Sequence, residues 1–144
     1  MLTVRDLLKS KGPKVYSIGY DATIKDALLI LAEEDVGALP VLKDGELVGI
    51  FSERDYARQM ATMEECSMDA PISKYMTTKV FFVKCSNRLN ECMQLMTEKR
   101  IRHLPVMDEG ELAGIVSIGD LVKAVNTGLS ERISHLENYI QGKW

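Results

Sequence analysis

The chain has 144 residues, 46% hydrophobic and 27% charged, with 18 Lys plus Arg against 21 Asp plus Glu for a formal net charge of -3. That length allows one ordinary domain or two small units sharing a core, and the charge balance excludes the positive blanket of a general nucleic-acid binder. Three cysteines, Cys66, Cys85 and Cys92, form no C-x-x-C pair and His103 and His135 are the only histidines, so neither a disulfide scaffold nor a zinc knuckle is expected.

Taken in chain order, the amino-terminal "MLTVRDLLKSK" mixes acidic and basic residues before any apolar run. No later apolar stretch approaches the ~20 residues of a membrane span. Neither a signal peptide nor a span is expected, and a reducing cytoplasm is the expected compartment. "TVRDLL" predicts a short helical lead-in, "VYSI" (15–18) a strand, and Thr23 with Asp26 a capping box. Ile24, Ala27, Leu28 and Leu31 then fall at helical spacing. "ALPVL" (38–42) and "ELVGI" (46–50) flank Lys43, Asp44 and Gly45. A hairpin is predicted there, because Gly supplies the positive φ that a tight turn demands. "GIFSERD" (49–55) then runs from strand into helix.

After a connector at 61–79 the series starts again, and residues 15–60 align with 80–125 without a gap. Repetition at a fixed offset redefines the folding unit. "PISKYM" resembles "TVRDLL", with Pro71 favoured near a helix start, although this lead-in lies at another offset because "KSKGPK" is longer than "TTK". "VFFV" (80–83) is the second predicted strand, and Leu89, Cys92, Met93 and Met96 repeat the buried helical face. Arg88 replaces Thr23, so Ser86 is the expected cap. "HLPVM" and "ELAGI" surround Asp108, Glu109 and Gly110, and "GIVSIGD" (114–120) closes the series. The resulting division is 1–69, 70–126 and a tail at 127–144. In that tail Leu129, Ile133, Leu136 and Ile140 make one side apolar behind a cap at Ser130. It packs on its own unit or adds to a dimer interface.

Two readings of the repeated word stay open. Ser52 with Asp55, and Ser117 with Asp120, have capping-box spacing, and Gly49 and Gly114 keep a strand narrow where a helix crosses it. The same junction also offers amides to a phosphate, a glycine beside a flat base, and a carboxylate to the hydroxyls of a ribose. Between Ser and Asp the first copy has Glu53 and Arg54, the second Ile118 and Gly119. Arg54, with Arg58 a turn on, meets phosphate or forms a solvated face. In "EKRIRH" (98–103), Lys99 and Arg100 end a helix, where cations are favoured. Arg102 and His103 stand where the first copy has Gly37 and Ala38, and they are expected to lend charge to the plain second junction.

The paired segments "GALPVLKDGELVGIFSERDYARQM" and "IRHLPVMDEGELAGIVSIGDLVKAV" resemble the tandem cystathionine-beta-synthase (CBS) domain family, whose paired repeats form a Bateman module. The resemblance implies an α/β (α+β) fold: two repeats about a pseudo-twofold axis, each a small sheet with helices on one side. It implies two clefts for adenosine-containing ligands such as AMP, ADP, ATP, NAD or S-adenosylmethionine, none of them an obligatory cofactor, and a homodimer. The family motif falls on Gly49, Ile50, Ser52 and Asp55 and on Gly114, Ile115, Ser117 and Asp120. The aspartates are thereby implied to hold ribose hydroxyls. With no nucleophile, base and acid set in the sequence, the expectation is a regulatory module rather than an enzyme, signalling through an effector protein or its dimer state. The alternative is a ligand-free dimeric scaffold with vestigial clefts; a membrane or nucleic-acid partner is not expected.

Overall fold

The computed structural model describes residues 2–62 and 67–128. The hairpins are its most regular parts. Strand β2 (Ala38–Lys43) pairs with β3 (Glu46–Ser52), and β5 (His103–Asp108) pairs with β6 (Glu111–Ser117), both antiparallel. Only two residues lie in each turn, and all four have positive φ: Asp44 at 51° and Gly45 at 80°, Glu109 at 50° and Gly110 at 81°. This is the primed turn whose twist matches the strands it joins. A register shift follows Val41 in one hairpin and Val106 in the other.

A third strand joins each hairpin in parallel, giving sheets ordered β1-β2-β3 and β4-β5-β6. These strands are shorter than the sequence predicts: β1 is Ile18–Gly19 and β4 is Val83–Lys84. The register explains the loss. Ile18 lies opposite Val41, and Val83 opposite Val106, so one step back the ladder meets Pro40 or Pro105, which has no N–H to give.

Helix α2 (Ile24–Glu34) and helix α4 (Leu89–Lys99) cover the sheets with the predicted faces. Ile24, Ala27 and Leu31, and likewise Leu89, Cys92 and Met96, are buried, while Leu28 and Met93 are half-buried against the same clusters. The Thr23–Asp26 capping box is present, with the Asp26 amide donating to Thr23 Oγ1 and the Thr23 amide to Asp26 Oδ2, both at 3.1 Å. Ser86 does not cap α4. Instead the Glu91 carboxylate accepts from the Arg88 amide at 2.8 Å, and the Leu89 amide donates to the Leu2 carbonyl at 3.3 Å.

Leu2 belongs to the lead-in of the other repeat, and the crossing is systematic. Helix α1 (Val4–Lys11), capped by Thr3 and Asp6, places Val4 and Leu7 among Val83, Leu104, Val106 and Val116 of the second unit. The Val4 and Arg5 amides donate to the Asn87 and Cys85 carbonyls at 2.8 and 3.0 Å. In return Ile72 and Tyr75 enter the cluster of Ile24, Leu39, Val41 and Phe51. There the Ile72 amide donates to the Ala22 carbonyl at 2.7 Å and the Ile24 amide to Ala70 at 3.0 Å. This second lead-in is a single 3-10 turn, Ile72–Lys74. It is not a longer helix because Thr77 turns away to exchange two backbone bonds with Ile50, at 2.9 and 3.0 Å.

The two units meet along β3 and β6. From them run helix α3 (Glu53–Thr62) and helix α5, residues 118–128. The expected tail helix lies, from residue 129 on, outside the described residues. Among the described residues no helix is long and apolar enough to cross a membrane.

Crossed lead-ins give an expected outcome that the repeat boundaries alone would not. Val4→Ala should cost about 2 kcal/mol, the range for removing fully buried methyl groups. Native-state hydrogen exchange should report the loss at Leu104 and Val106, in the second unit, more than at Leu39 and Val41. Equal or greater loss at Leu39 and Val41 would contradict the crossing.

Candidate functional site

Each copy of the repeated word is a β-strand entering a helix. The first helical amide is taken by a strand-start carbonyl: Glu53 N–H donates to Gly37 at 3.1 Å, and Ile118 N–H to Arg102 at 2.9 Å. The serines cap as their spacing predicts, with Ser52 Oγ accepting from the Asp55 amide and Ser117 Oγ from the Asp120 amide, both at 3.1 Å.

The aspartates differ. Asp120 Oδ2 accepts from the Ser117 amide at 2.9 Å and from the Lys11 ammonium at 2.7 Å. Burial alone would raise the pKa of Asp120, but the bonds from Lys11 and Ser117 outweigh it and hold the carboxyl below the usual aspartate value. Among the described residues the Asp55 carboxylate makes no hydrogen bond or ion pair. Its cap is complete without that carboxylate, which is left available to a ligand.

Asp55 borders a cavity of about 300 Å³ that also receives Ile50, Ser52 and Arg54. Arg102 and His103, expected at the second junction, line this same cavity as well, while His103 also pairs with Ser117 and the Arg102 carbonyl accepts from the Ile118 amide. Packing of the units along β3 and β6 brings the side chains at the start of β5, still paired with Ser117, against the first junction. His103 fills space that the first unit leaves open, its Nε2 lying 2.9 Å from where a β-carbon on Gly37 would be. Burial pushes the His103 imidazole below its ordinary pKa, against the pull of Asp120 and Asp55 and with the push of Lys11 and Arg102.

The lining carries five cations, Arg54, Arg58, Lys79, Arg100 and Arg102, against Glu53 and Asp55. None of the five is in an ion pair among the described residues. The neighbouring Arg102 and Arg58 guanidiniums hold Arg54 below the ordinary arginine value, against the opposing pull of Asp55. Ile115, Ser117 and Asp120 lie at the second junction, and Gly49 and Gly114 lie under the lead-ins. A β-carbon on Gly49 would stand 2.5 Å from Met76 Sδ, and one on Gly114 2.8 Å from Leu8 Cδ2, so close approach of the lead-in accounts for both glycines.

Sequence reasoning missed Lys79 and Lys11 and read Arg100 as a helix end. Arg100 is that too, a left-handed cap at φ 55° whose amide donates to Met96. The missed signal was the alignment of the two lead-ins at their own offset of 68, which pairs Lys11 with Lys79.

The CBS domain family matches residues 4–62 and 72–127. The mitochondrial CBS domain-containing protein CBSX3 of Arabidopsis thaliana is 38% identical, over 97% of this chain and 72% of its own length. The crystal structure of the CBS domain protein NE2398 superposes with a TM-score of 0.82 at 43% identity, over 87% of this chain and 98% of that one. CBSX2, solved in complex with AMP, has a TM-score of 0.70 at 28% identity, over 88% of this chain and 98% of its own.

His103 and Asp120 should make stability fall in two separate pH windows. A histidine whose folded pKa is depressed leaves the unfolded chain binding more protons, so stability drops as pH falls below the ordinary 6.5. An aspartate with a depressed folded pKa contributes stability that is lost as pH falls below about 3.8. In denaturant titrations from pH 7 to 3, His103→Gln should flatten the upper window and Asp120→Asn the lower. An unchanged upper slope in His103→Gln would assign that window elsewhere.

Proposed function

Since the chain belongs to the CBS domain family and carries two copies of that domain in tandem, we propose that it is a regulatory module whose first cleft binds a phosphorylated adenosine ligand without transforming it. The observation that carries this reading is the Asp55 carboxylate, uncommitted among the described residues, at the edge of a cavity whose five cations form no ion pair among them. A ribose diol supplies two donors to such a carboxylate, and phosphate oxygens supply the charge that the guanidiniums lack. The relative CBSX2 binds AMP, which supports the same ligand class here.

Charge also ranks the candidate ligands. AMP, ADP, ATP and NAD bring phosphate to the five cations, whereas the sulfonium of S-adenosylmethionine would add a positive charge among them. The phosphate-bearing ligands are therefore the favoured class. Because Asp55 belongs to the first unit and Arg100, Arg102 and His103 to the second, occupancy acts on the way the units sit together. A ligand that binds two such arrangements unequally shifts their populations, and a partner protein reads the shift.

A second copy of the chain is the other proposed partner. Ile118, Val122 and Val125 of α5 are exposed at 39%, 51% and 48%, and their spacing puts them on one side of the helix. Pairing two such faces would remove them from water.

Calorimetric titration of ligand-free protein should give saturable heat with AMP and ATP and weaker or no binding of S-adenosylmethionine. Asp55→Ala should weaken AMP by about 10-fold or more, equivalent to ~1.4 kcal/mol, with little loss of folding stability because Ser52 keeps the cap. Ser52→Ala should instead cost about 1 kcal/mol of stability. Absence of saturable heat with AMP, ADP, ATP and NAD alike would sink the nucleotide reading and leave the dimeric scaffold. For the dimer, light scattering should give the mass of two chains, and Val122→Glu should return that of one; a monomeric wild type would reject the pairing.

A further inference from the structure

The second junction contains everything that the first offers a ribose, yet its carboxylate is already bound. Lys11, the last residue of α1, reaches across to Asp120 Oδ2 and to the Ile115 carbonyl, each at 2.7 Å. Ile115 is the counterpart of Ile50, whose carbonyl accepts instead from the Thr77 backbone amide at 2.9 Å. Lys79, the counterpart of Lys11, forms no ion pair with Asp55 among the described residues and has its Nζ 5.8 Å from the centre of the Phe81 ring. One ammonium thus meets two acceptors at the second junction. At the first, a backbone amide meets one of them and leaves the aspartate uncommitted.

This difference follows from the lead-ins. Eight helical residues in α1 put Lys11 over the second junction, whereas the single 3-10 turn Ile72–Lys74 ends early and lets Thr77 pair with Ile50. Entry of a ribose at the second junction would have to displace a charge-assisted contact that costs the chain no association entropy. Lys11 is part of the molecule at every ligand concentration.

We propose that Lys11 is an internal stopper, holding Asp120 in place of a ribose, so that the chain takes one adenosine ligand at the first cleft and keeps a latent second site closed. The stopper rests on the nucleotide reading above for the ligand class, and on the Lys11 contacts for the closure. Removing the ammonium takes the charge-assisted contact off the Asp120 carboxylate, which keeps only the bond from the Ser117 amide, while the Ser117 hydroxyl continues to cap the helix.

Equilibrium dialysis with radiolabelled AMP tests this on the full chain, with circular dichroism confirming that each variant is folded. The expected result is one AMP per wild-type chain and two per Lys11→Ala chain, returning to one in Lys11→Ala with Asp120→Ala. Lys11→Met, which keeps the aliphatic stem, should also take up a second AMP if the ammonium is the blocking group. Two AMP on the wild type, or one on both wild type and the folded Lys11 variants, overturns the stopper. No AMP on the wild type, with one on Lys11→Ala that Asp120→Ala abolishes, keeps the stopper and removes the first-cleft reading. No AMP on any variant removes both.

Discussion

The exchange of lead-ins between the two repeats is the constraint on which the rest of the structure depends. A helix begins with amides that have no partner inside it. In α2 and α4 the first of these is met by a carbonyl from the other repeat's lead-in, Ala70 for Ile24 and Leu2 for Leu89. The same segments push Val4 and Ile72 to complete burial in cores that are not their own by sequence. A unit of about 55 residues buries too little surface to stand comfortably alone. Each half here is completed by a piece of the other, so neither core is whole without both.

Much of this was legible in the residues. The repeat, the hairpin turns at Asp44–Gly45 and Glu109–Gly110, the buried helical faces and the Thr23 cap all rest on short-range rules, and they stand where those rules put them. What similarity cannot state is which segment packs on which. "TVRDLL" and "PISKYM" look alike because each does the same job, and nothing in that likeness says that the job is done in the opposite repeat. The shortened β1 and β4 were legible in principle, since Pro40 and Pro105 were in view, but only the parallel register shows that they oppose the missing strand residues. Arg102 and His103 escaped for a related reason. The segment at the start of β5 pairs with the second junction in its own sheet, His103 opposite Ser117, while its side chains also line the cavity at the first.

Crossing also explains why two nearly identical junctions have come to differ. Their glycines, serines and aspartates match, and both serines cap. What separates them arrives from outside the repeated word: Lys11 at the second, and Lys79 with Arg100 and Arg102 at the first. The length of each lead-in decides which group reaches which carboxylate. A duplicated motif therefore fixes the local frame, while the segment crossing over it sets the charge.

The first cleft inherits a further property from this arrangement. Its uncommitted carboxylate comes from one repeat, and much of its positive charge from the other and the connector between them. Five cations against two carboxylates leave a net positive charge whose repulsion an anion would relieve. The repulsion falls across the contact between the units, where relief of it can change their relative placement. Under the proposed reading, charge placed at the contact between two well-packed cores would give an anionic ligand leverage over how the units sit together.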